Sequence, residues 1–94
     1  MTYIGATSSL TEVDIGTVDT TDKAFFIAAL DYNNNIVASA IMPVVLMQNG
    51  VYGYCFEYGD NDKSIAIFRK QGNVVKGRIA STTRSSITLR MYIY

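Results

Sequence analysis

Apolar and polar positions alternate singly along much of this chain, most sharply at its end. Ile87, Leu89, Met91 and Ile93 fall in one phase, and Thr88, Arg90, Tyr92 and Tyr94 in the other. A period of two places these sets on opposite faces of a strand. Segment 86–94 is therefore predicted to be a half-buried antiparallel strand with a polar, aromatic outer face. Segment 51–58 alternates too: Tyr52, Tyr54, Phe56 and Tyr58 against Val51, Gly53, Cys55 and Glu57. All four aromatics share one face. Segment 24–32 differs, because Phe25, Ile27 and Ala29 oppose Phe26, Ala28 and Leu30, leaving both faces apolar. Such a strand is either central between two layers or has its second face against a neighbouring subunit. In the second case Phe25, Phe26, Ile27 and Leu30 are interface residues.

Further strands are predicted over 2–6, 11–15, 36–47, 64–70 and 74–80, where Tyr, Ile, Val, Thr and Phe favour a pleated surface. Turn residues separate them: the Asn run at Asp31–Asn35, Gln48-Asn49-Gly50, Gly59-Asp60-Asn61-Asp62, Gln71-Gly72-Asn73 and Ser81–Ser86. Pro43 removes a ladder donor and is expected to mark a bulge, an edge or a change of sheet, splitting 36–47 into 36–42 and 44–47. A helix over Ile36–Met47 is the alternative, opposed by the β-branched residues and Pro43. About eight short strands with frequent turns predict an all-β fold, an antiparallel β-sandwich of jelly-roll-like form. The 94 residues make one domain, and no internal repeat stands out.

Charge changes this picture. Residues 63–94 carry seven basic side chains and no acidic one; residues 1–62 carry eight acidic side chains and only Lys23. The net charge of zero hides halves of −7 and +7. Either acidic and basic strands lie side by side within one fold, or they pair between copies. The chain is 49% hydrophobic and 17% charged, too apolar for disorder and low enough in charge to suggest a face covered by another subunit. No run of about 18 apolar residues is present, so no membrane insertion is expected. MTYIGATSSL lacks the basic and apolar regions of a secretion signal, so synthesis in the cytoplasm is expected. The lone Cys55 is expected to be a small buried hydrophobe.

Histidine is absent, which removes Ser-His and Cys-His nucleophile systems and the commonest zinc ligand. One cysteine cannot make a multi-thiolate site, and no phosphate loop or dinucleotide fingerprint appears. A non-enzymatic protein without cofactor is expected. Gly59-Asp60-Asn61-Asp62 and Asp19–Asp22 place carboxylates close together, but without EF-hand spacing they read as solvated turns rather than calcium sites. The aromatic ladder Tyr52, Tyr54, Phe56 and Tyr58 either stacks on sugars or packs in the core or at an interface. The second option puts Tyr54 in a buried strand, where truncation destabilises the fold. Tyr92 and Tyr94, outward beside Arg90, suit sugar or anionic glycan contact. Arg69, Lys70, Lys76, Arg78 and Arg84 with Phe68 suggest a phosphate-tracking groove, against which stands the zero net charge.

The order of segments resembles the C-terminal β-sandwich domains of bacteriophage tail fibres and related virion receptor-binding proteins. The matching pieces are Gly5–Ser9, Asp19–Asp22, Phe25–Leu30 with Tyr32, the Asn33–Asn35 turn, Ile41-Met42-Pro43, Val51-Tyr52-Gly53-Tyr54 and Ile87–Tyr94. The resemblance implies a virion protein: a fibre-tip or receptor-binding module, a homo-oligomer with a trimer favoured, recognising a host surface glycan or protein. A tip domain normally hangs on a shaft, which residues 1–94 do not contain, so an excised tip or a stand-alone virion component is expected. The alternatives are a capsid decoration or assembly protein, and a small nucleic-acid-binding or inhibitor protein.

Overall fold

In the computed structural model, which describes residues 1–19 and 21–94, the chain forms eight strands: β1 (Thr2–Thr7), β2 (Val13–Thr17), β3 (Ala24–Leu30), β4 (Ile36–Pro43), β5 (Tyr52–Tyr58), β6 (Lys63–Gln71), β7 (Val74–Thr82) and β8 (Thr88–Ile93). Two four-stranded antiparallel sheets result, with orders β1-β8-β3-β4 and β2-β7-β6-β5. First pairs with last in one sheet, and second with next-to-last in the other, which is the jelly-roll-like part of the wrap. The middle of the chain is local: β3–β4 is a hairpin in one sheet and β5–β6–β7 a meander in the other.

Turn chemistry sets the strand ends. The Asp31 carboxylate accepts the backbone N–H groups of Asn33 and Asn35, each at 2.9 Å, and Asn34 takes a left-handed φ of 63°. This is the Asx turn that Asn and Asp favour, and it ends β3 at Leu30. Strand β2 begins at Val13, later than expected, because Ser9 Oγ bonds the backbone of Thr11 and holds the chain in a turn. The run 36–47 does break at Pro43. Its second part is not a strand but a 3₁₀ turn, Val44–Leu46, in which Val44 N–H donates to Lys23 O at 2.9 Å. That turn carries the chain to the second sheet and drops Met47 into the core at 1% exposure.

The inner faces supply Phe25, Ile27, Ala29, Leu89 and Met91 from one sheet and Ile15, Cys55, Ala66, Phe68, Val75 and Ile79 from the other. The predicted alternation of β8 is seen: Leu89 and Met91 are buried while Thr88, Arg90 and Tyr92 are half-exposed. Strand β3 lies between β8 and β4, so it is central. Phe25, Ile27 and Leu30 are buried within this chain and are not available to a second subunit; of the four residues singled out, only Phe26 faces outward. Where β1 passes over β2 the backbones nearly touch: a Cβ on Gly5 would lie 2.0 Å from Ile15 O, and one on Gly16 2.6 Å from Ile4 O. Only glycine permits that closure.

Acidic and basic segments meet inside the chain. Arg69 pairs with Glu12 at 2.6 Å and Lys76 with Asp14 at 3.0 Å. Arg84 lies 2.6 Å from Glu57, 3.6 Å from Asp62 and 3.9 Å from Asp31. Among the described residues no helix is long and apolar enough to cross a membrane.

Candidate functional site

Strand β5 is built inside out. Its inner positions are Gly53 and Cys55, both buried, while Tyr52, Tyr54, Phe56 and Tyr58 are 50%, 52%, 64% and 82% exposed. The cause lies beneath the strand. Phe68 of β6 fills the core there, and a Cβ on Gly53 would sit 2.5 Å from its ring. With that volume taken, β5 can present only small side chains inward, so its large ones face water. The ladder therefore does not pack in the core, and Tyr54 is not a buried residue. Cys55 is buried, and burial raises its thiol pKa.

Glu57 shares the inner phase, which a carboxylate tolerates only with a partner. Arg84 supplies one, donating from Nε to Oε1 at 2.8 Å and from Nη2 to Oε2 at 2.6 Å. The hydrogen bond from Arg84 holds the Glu57 carboxyl below its ordinary pKa, and the same bond raises the Arg84 pKa. Asp31 is lowered as well, first by the Asn35 N–H. This cluster ties the β3–β4, β5–β6 and β7–β8 connections together and leaves its charges engaged.

The hairpin register then composes the outer face. Tyr52 lies opposite Arg69, Tyr54 opposite Ile67, Phe56 opposite Ile65 and Tyr58 opposite Lys63. One strand further on, Ile67 faces Arg78 and Arg69 faces Lys76. Across β5, β6 and β7 the face thus runs from aromatic through apolar to basic. A groove of about 250 Å³ crosses it, lined by Tyr52 and Tyr54 of β5, Ile67 and Arg69 of β6 and Lys76 and Arg78 of β7, and also by Glu12, the ion-pair partner of Arg69. The Arg69 guanidinium lies 5.6 Å from the Tyr52 ring centroid, a cation–π distance. Its ion pair with Glu12 holds that carboxyl below its ordinary range through the hydrogen bond Arg69 donates. Arg78 makes no salt bridge among the described residues. The groove therefore offers aromatic rings for stacking and one guanidinium, Arg78, that forms no salt bridge among the described residues although its charge acts on Glu12 nearby.

The other predicted contact residues lie on the opposite sheet. The Arg90 guanidinium stands 5.9 Å from the Tyr3 ring centroid, and Tyr3 packs against Tyr92 with centroids 5.6 Å apart. Tyr94 is 62% exposed and has Lys23 Nζ 5.7 Å from its ring centroid. Tyr92 lies with Met1, Phe26 and Ile41, Arg90 lies opposite Ala28 on β3, and Tyr94 follows the end of β8; the structure does not bring these three to Tyr52, Tyr54 and Tyr58, which belong to the other sheet. The basic groove imagined for phosphates is not continuous: Arg69, Lys76 and Arg84 are paired to carboxylates, and Phe68 is 1% exposed. At the Gly59–Asp62 turn, Gly59 N–H donates to Asp62 O at 2.9 Å, while the Asp62 carboxylate faces Arg84. Among the described residues no group of three or more His, Cys, Asp or Glu side chains could hold a metal ion.

Ile65 and Ile67 were not singled out by sequence reasoning, and Lys76 and Arg78 only as phosphate contacts. A usable signal was present. The turn at Gly59–Asp62 closes a hairpin, which sets Tyr58 opposite Lys63 and so fixes every other cross-strand pair. Comparison of the chain with protein-family models, with curated proteins and with solved structures found no match.

Proposed function

We propose that this chain is a non-catalytic recognition module whose β2-β7-β6-β5 face binds an anionic glycan. The observation that carries the reading is the groove in which Tyr52 and Tyr54, both about half exposed, stand across Ile67 from Arg78. Tyrosine rings stack on the C–H faces of sugars, and a guanidinium takes a carboxylate or sulfate in bidentate fashion. The tail-fibre resemblance supports placing such a module on a virion as a fibre-tip or receptor-binding component, with a host surface glycan as its target. Affinity of a shallow groove is low for one copy, so useful binding comes from several copies acting together.

A second reading, a capsid decoration or assembly protein, is favoured by the apolar shelf of Met1, Phe26, Ile41 and Tyr92 on the other sheet. Titration calorimetry against acidic and neutral oligosaccharides separates them. Tyr54→Ala and Arg78→Ala are expected to weaken binding to the acidic series by roughly tenfold or more, the scale of an anchor residue, with melting unchanged. Absence of binding to any glycan overturns the proposal. So does loss of binding on Tyr92→Ala or Tyr94→Ala with Tyr54→Ala neutral, because that places the site on the other sheet.

A further inference from the structure

Four strands end the two sheets, and three of them are guarded against pairing with another chain. Strand β1 is broken by a register slip between Tyr3 and Gly5. Strand β2 is five residues long and slips between Asp14 and Gly16. Strand β4 slips opposite Ala29 and Leu30 and ends in Pro43. Bulges, short length and proline are the devices by which natural edges avoid edge-to-edge association. Strand β5 has none of them. It runs seven residues in unbroken register from Tyr52↔Arg69 to Tyr58↔Lys63. It contains no proline, lysine or arginine, and its one charge, Glu57, is held by Arg84. Among the described residues its backbone forms no backbone hydrogen bond beyond those to β6.

We infer that this edge pairs with β5 of a second copy of the chain, antiparallel, about a two-fold axis at Cys55. The outward side chains are what select a second copy. Reversed against itself, the series Tyr52, Tyr54, Phe56, Tyr58 matches aromatic to aromatic: Tyr52 meets Tyr58 of the partner subunit, and Tyr54 meets Phe56 of the partner subunit. Aromatic cross-strand pairs are among the favourable ones. Only this register pairs all seven residues; a shift in either direction leaves unpaired groups at both ends. On the inner side Gly53 and Cys55 are too small to obstruct the approach. Addition of a strand to an exposed edge is a recurring recognition mode, and here it joins two four-stranded sheets into one. The two aromatic–basic faces then become continuous, so a dimer presents two grooves to one extended ligand.

Sedimentation from micromolar to near-millimolar protein, with amide hydrogen exchange across the same range, tests this. The expected species has twice the 10.4 kDa mass of the chain. Amides within Tyr52–Tyr58 should exchange more slowly as concentration rises, which a dimer packed through a sheet face would not produce. Phe56→Lys, at a position 64% exposed, should give a folded monomer, and Phe26→Lys on the other sheet should leave the dimer intact. A monomer at every concentration overturns the inference. A trimer does too, as does a dimer that survives Phe56→Lys with β5 amides exchanging at the monomer rate. Arg78→Ala should keep the dimer mass whatever it does to glycan binding, so the edge and the groove fail or stand separately.

Discussion

Gly53→Ala is the sharpest test of the site, because the two orientations of β5 predict opposite signs. In the structure the added methyl lies 2.5 Å from both Cε2 and Cζ of Phe68, a ring that is 1% exposed. The ring must move inside a packed core, and overpacking of this kind costs about 1–3 kcal/mol. For a domain near this size each kcal/mol corresponds to roughly 4–8 °C in Tm, so a fall of about 5–20 °C is expected. Were the aromatics inside, Gly53 would face water. Alanine there would relieve the glycine penalty of about 0.5–1 kcal/mol and raise Tm.

Thermal unfolding followed by circular dichroism reads the sign directly, and urea unfolding supplies the free energy. The double variant Gly53→Ala/Phe68→Leu locates the cause. Shortening the ring removes the clash, so the two changes should be less than additive by about 0.5–3 kcal/mol, the range of coupled neighbours. A Tm equal to or above that of the natural chain would refute the buried placement of Gly53, and with it the outward ladder on which the groove depends.

Two further outcomes follow from the same geometry. Tyr54→Ala should leave stability within about 0.5 kcal/mol, as for surface positions, whereas a buried aromatic would cost about 3–5 kcal/mol; urea unfolding decides. Acid should destabilise the fold through Glu57, Asp31 and Glu12, whose folded pKa values are all lowered. A lowered folded pKa contributes stability that is present above the unfolded value and lost as pH falls through the folded one. Unfolding free energy should therefore drop as pH falls below about 4.5, and Arg84→Met should flatten that drop. An unchanged slope in Arg84→Met would show that the Arg84 cluster is not its source.

Much of the fold was legible because it is written locally. Period-two alternation located the strands, and Asn, Asp and Gly located the turns, since those residues carry their own turn chemistry. The misplacements occur where a distant contact decides. Val44–Leu46 looks like strand until Pro43 is seen to end pairing with Ala24 and Val44 to bond Lys23 O instead. Both faces of β3 are apolar, and alternation cannot say which is covered. The sheet order answers for Phe25, Ile27 and Leu30 by placing β3 between β8 and β4.

The site was harder to read, because alternation is symmetric: it says that Tyr52, Tyr54, Phe56 and Tyr58 share a face but not which face. Hydropathy points inward, since each ring buries about 150–250 Å² when covered, and Glu57 in the opposite phase points the same way. Two residues outside the strand reverse the choice. Phe68 takes the volume under Gly53, and Arg84, 27 positions beyond Glu57, neutralises the carboxylate that the inner phase must accommodate. The segregation of charge along the chain has the same origin. The late basic strands and loops are laid between early acidic ones: Lys76 of β7 beside Asp14 of β2, and Arg84 among Asp31, Glu57 and Asp62. Part of the dipole along the sequence thus becomes paired charge in space, through Arg69, Lys76 and Arg84. Arg78 forms no salt bridge among the described residues and stands beside the tyrosines, and on that ground the groove, rather than the whole basic third, is the proposed anion site.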